Sequence, residues 1–504
     1  MKRLAVLACL LALCLCVSLM GCGNDSPGPA GSDDTPVTAD YTLRLLYCPN
    51  DTLNPYTLIS EVNCELAQLI FDPLFKFGND FNLIPCLARS ARQDATMWHI
   101  TLTDATFSDG SVFRAEDVLY SFDLAKKCPR YTNQLSHVTQ VSAAGDGVDF
   151  LLDRHDPYFC NTLTFPIIKA DSDHITDSDG VIADPIGTGR FTHEKDRLIR
   201  NPAYFGGLSQ VATIELMNAP DTESVHHYVQ VGATDFYYAP RVDETVARMS
   251  AQTVSVYRNE LVYIGINDQD RYCSDVSLRY AISALINRKR LTETAYFGNA
   301  TAATGPIHPL ITELKAYQTT EITANTQIAV ENLEKIGYNR KNSAGYLVNA
   351  SGYELPLTLL VNQDASDKLR IAQLLVNQFK DAGLRLTLVK CNSEEYRARL
   401  KNGDFQLYLA EVSMDDNFDV SPLVTPGGSC AYGHREETAT VRVVKQYAAG
   451  EAALSDVVSA IESELPYIPL VWRNGLLYYS EHFNPGLACC ETDLFLSFDG
   501  FIMP

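Results

Sequence analysis

The pattern that most restricts what this chain can fold into lies between residues 355 and 412. Residues 355–361 (LPLTLLV) are almost wholly apolar, as in a strand buried on both faces. Ser366 then stands where it can cap a helix. Leu369, Ala372, Leu375, Val376 and Phe379 follow on one side of that helix, and Gly383 provides a C′ residue to end it. Leu384, Leu386 and Leu388 alternate with Arg385 and Thr387 as a second strand. A second helix runs from about Ser393 to Asn402-Gly403, and residues 405–412 (FQLYLAEV) read as a third strand. The order β-α-β-α-β, with right-handed crossovers, predicts an open parallel α/β sheet. Ligands of such sheets bind beyond the carboxyl ends of the strands. For the third strand that end runs from Glu411 to Asp419.

The first half reads differently. Short strand candidates at 41–46, 98–102, 148–152 and 213–216 lie among many turns, with a helix over 116–124 and a turn at Ser108-Asp109-Gly110. This predicts a mixed α+β region ahead of the doubly wound one. The roughly 460 residues after position 40 exceed what one core usually holds, so two or three packed units are expected.

The N-terminus carries Lys2 and Arg3, then an apolar run from Leu4 to Met20 interrupted only by Ser18. A basic start, a short apolar stretch and a small residue make a secretory signal peptide over 1–21. Its end, Leu19-Met20-Gly21-Cys22, looks like a lipobox, with cleavage after Gly21 and lipid on Cys22. Residues 22–40 are rich in Gly, Pro, Ser and Asp and predict a flexible leash. The expected location is extracytoplasmic, on the outer face of a bacterial membrane, held there by lipid alone. A formal charge of −22, with no Lys/Arg cluster in the sequence, weighs against nucleic acid, which requires a basic face.

Three of the 14 cysteines precede Cys22, leaving ten after it. Exported chains can form disulfides, but the scattered spacing fits small buried hydrophobes such as Cys64, Cys86 and Cys391. The vicinal pair Cys489-Cys490 reads either as buried packing or as a metal or redox site. His226-His227, read on a strand, would point to opposite faces and share no ion. No G-x-S-x-G elbow, P-loop or H-E-x-x-H occurs, so no enzyme, cofactor or metal site is expected.

Five groups of segments remain. They are Thr52-Leu53-Asn54-Pro55 with 69–75 (LIFDPLF), and 98–102 (WHITL) with 107–110 (FSDG), 115–118 (AEDV) and Ser121-Phe122. After these come 187–191 (GTGRF), then 263–267 (YIGIN) with 274–276 (SDV), 278–281 (LRYA) and Asn287-Arg288, and finally 465–470 (LPYIPL). In this order, over nearly the whole mature chain, they resemble family-5 solute-binding proteins of ABC importers, the dipeptide/oligopeptide and nickel-binding group. Locally, Asp109-Gly110 suits a tight turn, Glu116 and Asp117 complement a helix dipole, and Gly187 and Gly189 let the backbone bend.

The resemblance implies a two-lobed, periplasmic-binding-protein-like α/β clamshell (type II, class C). Lobe I would be 41–261 plus 472–504, with an α+β subdomain inserted over about 79–185. Lobe II would be 262–471, with crossings near Leu261-Val262 and Leu470-Val471. It also implies a monomer that captures a short peptide by hinge closure and hands it to an ABC permease and ATPase complex. Asp415 would pair with the peptide's amino terminus, helped by Asp416 or Asp419, and Tyr56, Tyr263, Asn267 and Trp472 would line the walls. Val412 and Leu409 replace a Trp and an Arg found in peptide-binding relatives, Asn287 replaces an Asp, and Arg114 replaces a capping Thr. Nickel chelate, oligosaccharide or another nutrient, and a sensor role, fit the same fold. A lipid-anchored hydrolase is the distant alternative.

Overall fold

The computed structural model describes residues 41–176, 182–248, 252–317, 324–481, 483 and 487–497. The leader, Cys22 and the leash lie outside the described residues.

The β-α-β-α-β unit forms as its pattern predicts. Leu357–Asn362 pairs in parallel with both Leu386–Cys391 and Leu407–Ser413. The connecting helices are Ser366–Asp381 and Ser393–Asn402. Ile371, Ala372, Leu375 and Phe379 are buried against the sheet, at roughly 1.5–3 kcal/mol per fully buried large apolar side chain. Gly383 and Gly403 follow these helices at φ +84° and +69°, the left-handed conformation that glycine adopts cheaply. One detail differs: Ala365 is the cap and Ser366 the first helical residue, with no side-chain cap bond. The second helix is capped by Asn392, which accepts from the Glu395 N–H at 2.9 Å.

The sheet does not stop at this unit. Leu407–Ser413 pairs antiparallel with the long strand Gln252–Ile266, which pairs antiparallel with Tyr467–Tyr479. From there the same sheet continues through Phe236–Ala239, Tyr41–Tyr47, Val211–Asn218, Arg197–Arg200 and Phe191–Glu194. Two long strands therefore carry one sheet through both halves. Their mutual register slips between Tyr257 and Leu261, and again between Val262 and Tyr263. The apolar cores divide on either side of these slips. One joins residues between Val262 and Val471, and another joins residues from Leu43 to Val256 with Leu477–Phe495.

A separate four-stranded antiparallel sheet lies in the first half, made of Ala88–Asp94, Met97–Leu102, Gly147–Leu152 and Val138–Ala144. The helix Ala115–Ala125 covers it, with Phe122 edge-on to Phe150 at 5.9 Å. Arg114 caps that helix through its backbone N–H, which donates to Asp117. Asn287 caps another, accepting from the Arg290 N–H.

Two local readings are corrected. His226 and His227 lie on a helix, Thr222–Gln230, capped by Asp221, and not on a strand. Gly187 and Gly189 are required by close approach and not by a bend: a Cβ on either would sit 2.0–2.5 Å from the Ile70 carbonyl oxygen, whereas neither has positive φ. The ten cysteines after Cys22 are free. Cys391, Cys489 and Cys490 are buried, while Cys64 and Cys86 are half-buried. Among the described residues, no helix is long and apolar enough to cross a membrane.

Candidate ligand-binding cleft

The third parallel strand ends at Ser413, and the loop beyond it is docked onto residues 154–161 of the first half. Arg154 Nη2 donates to Asp419 Oδ2 at 2.6 Å. Asn417 Nδ2 donates to Asp156 Oδ2 at 2.6 Å, and Asn161 Nδ2 to the Asp416 carbonyl at 2.9 Å. Phe418 adopts φ +64° and meets Tyr158 edge-on at 4.9 Å. A bulky residue in that conformation is strained, and these cross-half contacts hold it there.

Among the described residues, two large cavities open on this loop, beside a minor one of about 130 Å³ between Asp419 and Tyr447. One, of about 590 Å³, is walled by Asn133, His137, Arg154, Asp415, Asp419 and Cys430. The other, of about 450 Å³, is walled by Glu65, Phe71, Tyr131, Tyr238, Arg258 and Asp416. Gln134 and Ser413 border both. These volumes are in the range of small-solute sites.

The three acids of the loop differ in their electrostatics. Burial would raise the Asp419 carboxyl, but the charge and hydrogen bond of Arg154 hold it below its ordinary value. Asp419 also accepts from the Ser421 N–H and Oγ, both at 2.8 Å. Asp415 has no cation within ion-pair distance among the described residues, and burial, reinforced by Asp419, pushes it up to about 6. Burial pushes Asp416 up to about 7, and among the described residues its side chain accepts a hydrogen bond from Asn259 Nδ2 at 3.4 Å. Glu411, still within the strand, is held by Lys368 at 2.5 Å and Arg473 at 2.9 Å.

The expected wall residues are placed differently. Tyr56 lies behind the smaller cavity, its hydroxyl donating to the Pro166 carbonyl and its ring beside Tyr131. Tyr263 is enclosed between Tyr408 and Tyr467 at 5.9 and 5.8 Å. Trp472 is fully buried against His308 at 5.1 Å. Asn267 donates to the Gly403 and Phe405 carbonyls and lines a different cavity, near 403–406. Tyr263 and Trp472 point into the second-half core. Nearness to a crossing in sequence does not determine which sheet face a side chain takes.

Sequence reasoning passed over Arg154, Asn161, Gln134 and Glu65. Glu65 carried a signal: it shares a helix face with Val62, Leu66 and Leu69, all buried, where an acid is out of place.

The profile of the bacterial extracellular solute-binding proteins, family 5, matches residues 82–433. The chain belongs to this family. Haem-binding protein A of Haemophilus influenzae is 22% identical over 463 residues, 81% of each chain. Oligopeptide-binding protein AppA of Bacillus subtilis is 24% identical over 253 residues, 47% of this chain and 46% of that one. The nickel-binding periplasmic protein of Escherichia coli is 24% identical over 387 residues, 70% of this chain and 71% of that one. Among solved structures, an ABC transporter substrate-binding protein from Sinorhizobium meliloti superposes with TM-score 0.74 at 17% identity, over 92% of this chain and all of that one. A nickel ABC transporter protein from Bacillus halodurans gives 0.72 at 21%, over 88% and 95%. This family-5 chain therefore has the two-lobed periplasmic-binding fold.

Proposed function

We propose that this family-5 protein captures short peptides by hinge closure and delivers them to the permease of an ABC importer, tethered outside the cell by lipid on Cys22. Lobes of about 41–261 plus 472–504, with its insertion at about 79–185, and 262–471 would rotate about the two long strands. The carrying observation is Asp415: a half-buried carboxylate without a cation, at the carboxyl end of a parallel strand, on a cavity wall. A peptide ammonium entering there forms a charge-assisted hydrogen bond in a partly desolvated setting. It would also relieve the repulsion from Asp419. Asp419 itself serves closure, through Arg154, more than the ligand. The relatives are named for haem, oligopeptide and nickel binding, which supports a binding protein and not an enzyme.

Titration calorimetry with free and N-acetylated di- to pentapeptides tests this reading. Free peptides should bind and acetylated ones should lose most of their affinity. Equal affinity would remove Asp415 from the role. Silence with every peptide, together with a nickel chelate, haem or oligosaccharide mass in native mass spectra of protein purified without refolding, would replace the peptide with that solute. For the tether, Cys22→Ser should abolish labelling by a fatty-acid analogue and leave peptide affinity unchanged.

A further inference from the structure

A buried histidine sits beside the two long strands that carry the sheet through both halves, and a side chain of the first half reaches across to cover it. His308 is fully buried. Its ring meets Trp472 of the strand Tyr467–Tyr479 at 5.1 Å and Tyr257 of the strand Gln252–Ile266 at 6.2 Å. A third ring, Phe81, lies at 4.8 Å. Phe81 stands in the turn of the hairpin made by Phe75–Phe77 and Leu83–Pro85 in the first half. It packs on the second-half core that includes Ile307, Ile311 and Trp472. Its φ is +61°, close to that of Phe418 at the other contact between the halves, a strained conformation for a bulky residue.

The hydrogen bonding of His308 suits the neutral ring alone. Nδ1 accepts from the Leu310 N–H at 3.2 Å, so the proton of the neutral imidazole is on Nε2, which has no partner. A second proton would have to enter on Nδ1, against that N–H, and its charge would be buried among aromatic rings. Of those rings only Tyr257 titrates. The charged groups next to them in sequence are engaged elsewhere: Arg258 by Glu260 and Glu491, Arg473 by Glu411, and Asp80 by the Asn82 N–H.

We propose that Phe81, His308 and Trp472 form an acid-sensitive latch at the hinge: closing the halves seals neutral His308 beneath Phe81, and protonation of His308 favours the parted halves. The latch rests on the hinge-closure part of the proposed function and not on the identity of the solute. Sealed, His308 is lowered to about 3 by burial alone. With Phe81 withdrawn, water restores the ordinary value near 6.5. The parted form therefore takes the proton first, and parting should become roughly 30-fold more favourable at pH 5 than at pH 8.

The two tryptophans are Trp98 and Trp472, so in Trp98→Phe the emission reports the latch. Emission and small-angle X-ray scattering of the whole chain after Cys22, without solute, are followed from pH 8 to pH 5. The radius of gyration should grow and the Trp472 emission should move to the red below about pH 6.5. His308→Gln should abolish this step, which separates it from the titration of Asp415 and Asp416. Phe81→Ala should move the midpoint to higher pH, because the imidazole is less well sealed. Arg154→Ala, which cuts the other contact between the halves, should expand the protein at pH 8. If Arg154→Ala expands it but the acid step is missing, survives His308→Gln or keeps its midpoint in Phe81→Ala, the latch is overturned and hinge closure stands. If neither pH nor any variant changes the radius of gyration, both fall.

Discussion

Two cavities share Gln134 and Ser413, and the acids of the loop that borders both are disposed in opposite ways. In the larger one, Asp419 is matched across the halves by Arg154 and braced by Ser421. Asp415 on the larger cavity and Asp416 on the smaller have no cation within ion-pair distance among the described residues. An ion pair made in the empty protein favours one arrangement of the halves. A carboxylate left without a cation is destabilised until something arrives, so its free energy is available to the ligand. If the proposed peptide reading holds, the same five-residue stretch, Asp415 to Asp419, divides into a part that docks and a part that recognises.

Breaking the matched pair should have the largest effect. Arg154→Ala leaves Asp419 partly buried beside Asp156 with no counter-charge, and stability should fall by roughly 3 kcal/mol, read from the denaturant midpoint. Arg154→Ala with Asp419→Ala should cost less than Arg154→Ala alone, because the orphaned charge goes as well. If Arg154→Ala were neutral, the pair would not contribute to docking.

Removing an unmatched acid should do the reverse. Asp415→Asn relieves a desolvated carboxyl, so the empty protein should be no less stable. Affinity for a free-amine peptide should fall by about 2 kcal/mol, or roughly 30-fold. A loss of stability without a loss of affinity would invert the division drawn above.

How much of this was legible in the sequence depended on distance along the chain. The β-α-β-α-β unit was readable because its first strand is apolar on both faces, its second alternates apolar with polar residues, and its helices end at Gly383 and Gly403, all local signals. The loop from Glu411 to Asp419 was readable for the same reason, as the carboxyl end of a parallel strand. The continuous sheet was not, because pairing Gln252–Ile266 with Tyr467–Tyr479 joins segments far apart in sequence, and neither carries a mark of the other. Tyr263 and Trp472 were misplaced because alternation shows that two faces exist and not which one meets the cleft. Arg154 was missed because its value lies wholly in Asp419, distant in sequence. Glu65 was legible after all, as a carboxylate on an otherwise apolar helix face.

The pH profile separates the two kinds of acid. Asp415 and Asp416 are raised to about 6 and about 7, so the folded state binds their protons more tightly than the unfolded chain does. Their contribution to stability is fully present below the ordinary aspartate value near 4 and is lost as pH rises through 6 to 7. Asp419 is lowered, so its contribution is present above about 4 and is lost as pH falls below that. Glu260, raised by burial and by its neighbour Glu411, adds to the first group, and Glu260→Gln is the control that subtracts it. The empty protein should therefore lose stability between pH 4 and 7, and Asp415→Asn with Asp416→Asn should flatten that slope. Asp419→Asn should leave the slope above pH 4 intact and flatten only the acid limb. Peptide affinity should rise over the same interval in which empty-state stability falls, because the ligand's ammonium selects the ionised carboxylates. If affinity and stability instead rose together, the unmatched acids would not be where the ligand's charge is received.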